Sequence, residues 1–173
     1  MRTPEAAALR TDRLDLLPLR PADAEEMALV LADPALHTFT GGEPDTLDTL
    51  RARYRRLSAG SPDPAVTWCN WILRLRADGR ATGYVQATVT AGTAEIAWVV
   101  GVPWQGRGLA GEAARALVAW LRTQGVRTVV AHIHPGHEAS AAVARAAGLG
   151  PTGEVQDGEV RWEAELSPGQ PAG

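Results

Sequence analysis

Two hydrophobic periods alternate along the chain. RLDLLPL (13–19) reads as a short strand, with Pro18 placing it at an edge or a bulge. Asp23 followed by Glu26 resembles a capping box and opens a helix that stops at Asp33, because the residue before Pro34 is pushed out of the helical region. A second helix is predicted from about Asp45 to Ser58, ended by Gly60-Ser61-Pro62. Its RARYRR stretch fits a solvated face, with an acidic-substrate patch as the alternative. VTWCNWILRLR (66–76), GYVQATVT (83–90) and AEIAWVV (94–100) are three strands separated by turns at Asp78-Gly79 and Gly92. Leu109, Ala113, Leu117, Trp120 and Leu121 share one helical face, closed by Gly125. VRTVVAHIH (126–134) returns to strand, EASAAVARAAGL is a short helix ended by Gly148, and EVQDGEVRWEAEL turns at Asp157-Gly158. The order β-α-α-β-β-β-α-β-α-β-β describes one mixed α/β domain over residues 9–166. Residues 1–8 and 167–173 are expected as flexible termini.

Composition narrows the chemistry. A length of 173 residues suits one well-cored domain. Net charge is −3, so no basic field argues for nucleic acid. All 17 basic residues are arginines, which removes a P-loop lysine and any Schiff base made by the protein. Cys69 is the only cysteine, so neither an intrachain disulfide nor a thiolate metal cage can form. No stretch approaches the roughly 20 apolar residues needed to span a bilayer. The opening MRTPEAAALRTDRLDLLPLR is broken by charges and prolines and has no signal-peptide run. A soluble cytoplasmic protein with no membrane partner is expected.

The segment WVVGVPWQGRGLAGEA (98–113) carries the strongest chemical signal. A strand ends, a glycine-rich turn follows, and a helix begins near Gly108. The first helical turn leaves backbone N–H groups unpaired, and the macrodipole adds partial positive charge there. Gly106, Gly108 and Gly111 let that backbone approach a bulky anion, and Arg107 offers a guanidinium to the same phosphate. The alternative is a turn whose glycines serve geometry alone.

Gln105-Gly106-Arg107-Gly108-Leu109-Ala110 resembles the Q/R-x-x-G-x-G/A signature of the GCN5-related N-acetyltransferases (GNATs), and the element order is similar to theirs. The resemblance covers residues 9–166 and implies a mixed, mostly antiparallel central sheet flanked by about four helices. It implies that this loop holds the pyrophosphate of acetyl-CoA and that Trp98, Val99 and Val100 pair their backbone with the pantetheine arm. LRTDRLDLLPLRPADAEEM further resembles the RimJ/RimL-like branch, which acetylates protein N-termini among other amines. As a family-level expectation, a homodimer follows as well.

The same resemblance bears on AHIHPGHEAS (131–140). HPGHEASAAVARAAGL fits an N-x-x-S/A pattern with His137 at the asparagine position and Ser140 at the serine position. Many family members carry a tyrosine seven residues after the asparagine that protonates the departing thiolate; here Ala144 stands there. RimL-like members also lack that tyrosine and have a serine at this position implicated near the thioester. The resemblance therefore implies Ser140 as the candidate to hydrogen-bond or protonate the thiolate, with a local helix-start hydroxyl as its alternative. Glu95 and His132 are candidate bases, each with a structural alternative as a solvated charge or a core histidine. His132, His134 and His137 could instead supply three nitrogens to a zinc ion, but thioester aminolysis needs no metal. Asn70 and Gln86 are polar within apolar strands and so need partners, among which an acceptor substrate is one choice.

The expected activity is direct acetyl transfer from acetyl-CoA to a peptide α-amine or a small-molecule amine in a ternary complex, without a metal. An α-amine with pKa near 8 costs about 1.4 kcal/mol to deprotonate at pH 7, against about 4.6 for lysine, so an N-terminal acceptor needs a base less urgently. Loops near 37–45 and 60–66 are expected to meet that acceptor. The rival readings are a catalytically degenerate CoA-binding sensor module and a metal-dependent hydrolase.

Overall fold

The computed structural model describes residues 3–168. Eight strands form one sheet in the order β1-β2-β3-β4-β5-β6-β8-β7. They are β1 (Leu9–Arg10), β2 (Leu14–Pro18), β3 (Val66–Leu75), β4 (Ala81–Thr90), β5 (Thr93–Val100), β6 (Thr128–Ile133), β7 (Gly150–Gln156) and β8 (Glu159–Glu165). Four helices accompany them: α1 (Ala24–Val30), α2 (Leu47–Ala59), α3 (Leu109–Thr123) and α4 (Glu138–Ala146). This is the mixed, mostly antiparallel α/β sheet with four helices that the resemblance implies.

Turn chemistry explains most of the pairing. Ala91-Gly92 and Asp157-Gly158 both take positive φ at two successive positions, the backbone of a two-residue hairpin turn. β4–β5 and β7–β8 are accordingly antiparallel neighbours. Between β5 and β6 the chain crosses over through α3, and that pair is parallel. Alternation then sorts the side chains. Trp71, Leu73, Val85, Ala87 and Ile96 join α3 and α4 in one core, while Ile72 joins Met27, Leu50 and Tyr54 under α1 and α2.

Three boundaries differ from the sequence expectation. α1 stops at Val30, and Pro34–His37 form a separate 3-10 turn whose start is capped by Asp33. The two-residue β1 is too short to show a period. Residues 3–8, expected as part of a loose end, are held against the core: the Trp71 indole N–H donates to the Ala7 carbonyl at 2.8 Å. Residues 1, 2 and 169–173 of the expected termini lie outside the described residues. No described helix is long and apolar enough to cross a membrane.

One departure from regular pairing makes the site. β5 runs eight residues, yet it pairs with β6 only through Thr93↔Thr128, Ala94↔Val129 and Glu95↔Val130. Beyond Glu95 the two strands part, and a cleft opens where a ladder would have continued.

Candidate acetyl-CoA cleft and acceptor pocket

The cleft has a volume of about 740 Å³ and is bounded by the end of β5, the start of α3, the start of α4 and the turn after Pro34. Trp98, Val99, Val100, Gln105, Gly106, Gly108, Leu109, Ala110, Gly111, His137 and Ser140 all line it. Arg107 does not; it is exposed, and its carbonyl accepts from Arg13 Nη1 at 2.7 Å.

Loop geometry follows from glycine. Gly106 and Gly108 have φ of +76° and +77°, a region that side chains disfavour. Gly108 is the N-cap of α3 and supplies no side-chain cap, so the first N–H groups of the helix face the cleft without intrahelical partners. Gln105 turns its amide back, donating to the Val100 carbonyl at 2.9 Å and closing the end of β5. Gly83 is required next door, since a Cβ there would stand 2.1 Å from the Val99 carbonyl oxygen.

The loop is braced by residues that sequence reading did not single out. Arg13 Nε donates to Glu112 Oε1 at 2.8 Å, and its backbone N–H donates to Oε2 at 3.0 Å. The Thr11 hydroxyl also donates to Oε2. Burial raises the Glu112 carboxyl, but hydrogen bonds from Thr11 and Arg13 outweigh it and hold the group below 4.5. Arg13 and Glu112 are 99 positions apart, a pairing without a local signature.

The three histidines go to three different partners. His132 Nδ1 meets Glu95 Oε1 at 3.0 Å. His134 Nδ1 accepts from the Gly136 N–H at 2.9 Å, and His137 Nδ1 accepts from the Ser140 N–H at 3.4 Å. Among the described residues no three His, Cys, Asp or Glu side chains come together to hold a metal ion. His137 is the N-cap of α4, and Phe39 stacks on its ring at 4.4 Å with an 18° tilt. Burial and then the neighbouring His134 push its pKa below 6.5, which favours the neutral, hydrogen-bond-accepting form.

Glu95 and His132 form a pair that lines neither cavity. His132 Nε2 is buried without a hydrogen-bond partner. Val99, at the junction of the cavities, lies four positions beyond Glu95, about 13 Å along an extended strand.

A second cavity of about 150 Å³ adjoins the first and shares Leu36, Thr40 and Val99 with it. Asn70, Gln86, Tyr84 and Tyr54 line it, together with Asp45 and Arg53 of the α2 start. Of the two loops expected to meet the acceptor, 37–45 places His37, Thr40 and Asp45 in the lining of this pocket and 60–66 places nothing there.

The cleft thus lies where two parallel strands part, with a glycine loop and a helix N-terminus at its end. The family model for the acetyltransferase (GNAT) domain matches residues 13–150, and the chain belongs to that family. No curated protein matches the sequence. Among solved structures, RimL, a ribosomal L7/L12 alpha-N-protein acetyltransferase in complex with coenzyme A, superposes with TM-score 0.77 at 16% identity, over 92% of this chain and 98% of that one. AAC(6')-Ib in complex with paromomycin and acetyl-CoA gives TM-score 0.74 at 21% identity, covering 89% and 94%. An acetyltransferase from Agrobacterium tumefaciens strain C58 gives 0.71 at 25% identity, covering 91% and 94%.

Proposed function

We propose that the protein is an acetyl-CoA-dependent N-acetyltransferase of RimJ/RimL-like type that moves the acetyl group directly to a primary amine in a ternary complex. The observation that carries this reading is the junction of the two cavities at Val99, Leu36 and Thr40. Donor and acceptor can be bound together, with their reactive ends meeting at that junction. Holding two reactants in this way replaces a bimolecular encounter with a local one.

In this reading the N–H groups of Leu109, Ala110 and Gly111 hold pyrophosphate, and the free backbone edge of Trp98, Val99 and Val100 holds the pantetheine arm. The neutral amine attacks the thioester carbonyl, the C–N bond forms, and the C–S bond breaks. Ser140, in the cleft wall at the start of α4, stabilises or protonates the departing thiolate. The amine's proton is released to water in the open cleft, because Glu95 and His132 line neither cavity and His132 Nε2 is buried. Cys69 is buried in β3 and its thiol is pushed up to about 11 by burial, which argues against an acyl-enzyme. RimL and AAC(6')-Ib, with their CoA and acetyl-CoA complexes, are consistent with the donor.

Calorimetric titration with acetyl-CoA, with CoA as comparison, tests the cleft first; one site per chain is expected. Thiol release from acetyl-CoA with and without added amines then tests transfer, and release should require the amine. Tight binding without amine-dependent release over a broad panel would make the chain a CoA-binding sensor module instead.

A further inference from the structure

The smaller cavity has a composition that selects among amines. Asn70 and Gln86 are cross-strand partners in β3 and β4 and both line it, so two carboxamides stand side by side on its floor. Together they present two carbonyl acceptors and two NH2 donors. Tyr54 of α2 forms part of the same wall, is 3% exposed, and buries its hydroxyl without a hydrogen-bond partner. Burial pushes that phenol far above its ordinary range, so it is a neutral O–H. An orphaned buried hydroxyl destabilises the free protein, and a ligand group bonded to it would remove that cost.

Charge and size complete the picture. Asp45 and Arg53 bring opposite charges to the wall and neutralise each other at 2.8 Å. His37 Nδ1 lies 3.2 Å from the Gly41 carbonyl oxygen, so that nitrogen is the donor of the contact. A further charged group entering here would find Asp45 and Arg53 already paired with each other. The volume of about 150 Å³ is that of a cavity able to take a benzene-sized group, about six heavy atoms.

We propose that Tyr54, Asn70 and Gln86 make this cavity a specificity pocket for an acceptor amine whose substituent is compact, uncharged and bears a hydroxyl or carboxamide. The assignment rests on the transferase reading above. A polycationic amine does not fit it, because the pocket offers no unpaired carboxylate. An apolar substituent of the same shape would fill the volume but leave the two amides unpaired, and such unpaired groups reject an isostere more strongly than a missing methylene does.

The test is kcat/KM for matched amino-acid amides: threoninamide against valinamide, asparaginamide against leucinamide, with lysinamide and aspartic acid α-amide as charged members. Each polar amide should exceed its apolar isostere by at least about tenfold, and both charged amides should fall below the isosteres. Gln86→Leu should bring those ratios near unity with acetyl-CoA affinity unchanged. Tyr54→Phe, which removes only an unpaired hydroxyl and so keeps the fold, should reduce them as well. Turnover with no preference, with a preference for charged or apolar members, or with ratios that survive both substitutions overturns the pocket assignment and leaves the transferase reading standing. Thiol release with no amine in the series or in a broader panel, while acetyl-CoA still binds, overturns both.

Discussion

Arg13→Ala asks whether the glycine loop is held from outside. The variant loses the Nε–Glu112 ion pair at 2.8 Å and the Nη1 bond to the Arg107 carbonyl at 2.7 Å. It keeps the backbone N–H of residue 13 and the Thr11 hydroxyl on Glu112, so that carboxylate is not stranded. A charged hydrogen bond contributes about 1.5–3 kcal/mol when buried. The Arg13 side chain is 48% exposed, which brings the ion pair down toward about 1 kcal/mol. Adding about 1 kcal/mol for the bond to Arg107 gives an expected loss of about 2 kcal/mol. For a domain of this size that lowers Tm by about 4–8 °C. Urea unfolding should show a lower midpoint with an unchanged slope. The sign with pH is fixed by Glu112, whose folded pKa lies below 4.5. Its contribution is present above 4.5 and is lost as pH falls through the folded value. Without the guanidinium the folded pKa moves back up, so the gap between variant and wild type should narrow on acidification below 4.5. Equal midpoints at pH 7, or a gap that stays constant into acid, would refute the brace.

The other predictions concern the cleft and its chemistry. Gly83→Ala places a Cβ 2.1 Å from the Val99 oxygen and 2.9 Å from the Val100 Cα, both backbone atoms. It should cost about 3 kcal/mol or more in urea unfolding and weaken acetyl-CoA binding in calorimetry. Gly111→Ala is the contrast, because its Cβ would meet Ala146 at an ordinary 3.6 Å within a helix; stability should hold or rise by up to about 1 kcal/mol. Ser140→Ala should lower kcat more than KM for acetyl-CoA, and an unchanged kcat removes its role at the thiolate. His132→Gln and Glu95→Gln should leave kcat/KM for the amine nearly unchanged, because the pair lines neither cavity; a large loss in either variant would make the pair the base after all. In the wild type kcat/KM should rise with pH toward the pKa of the amine, which gives its proton to solvent; a pH-independent value would refute that route.

The sequence by itself determined the elements, because an element's period and its turn residues are encoded within a few positions. Asp157-Gly158 fixed a hairpin, and the glycines after β5 marked a loop whose backbone must take positive φ at Gly106 and Gly108. The resemblance of Gln105 to Ala110 to a family signature made most of the cleft wall legible, since that signature and the strand end before it are contiguous in the chain. What only the tertiary structure decided depends on which distant residues meet. The parting of β5 from β6 after Glu95 is a property of strand register, and no residue in either strand announces it. Arg13 reaches Glu112 across 99 positions and also holds the Arg107 carbonyl. Glu95 and His132, 37 positions apart, become partners, while three histidines close in sequence are sent to separate ones. Asn70 and Gln86 could be recognised as polar side chains in need of partners, but their meeting in one small pocket required the β3–β4 register. Periodicity is a short-range signal, whereas a site is assembled from long-range contacts fixed by packing.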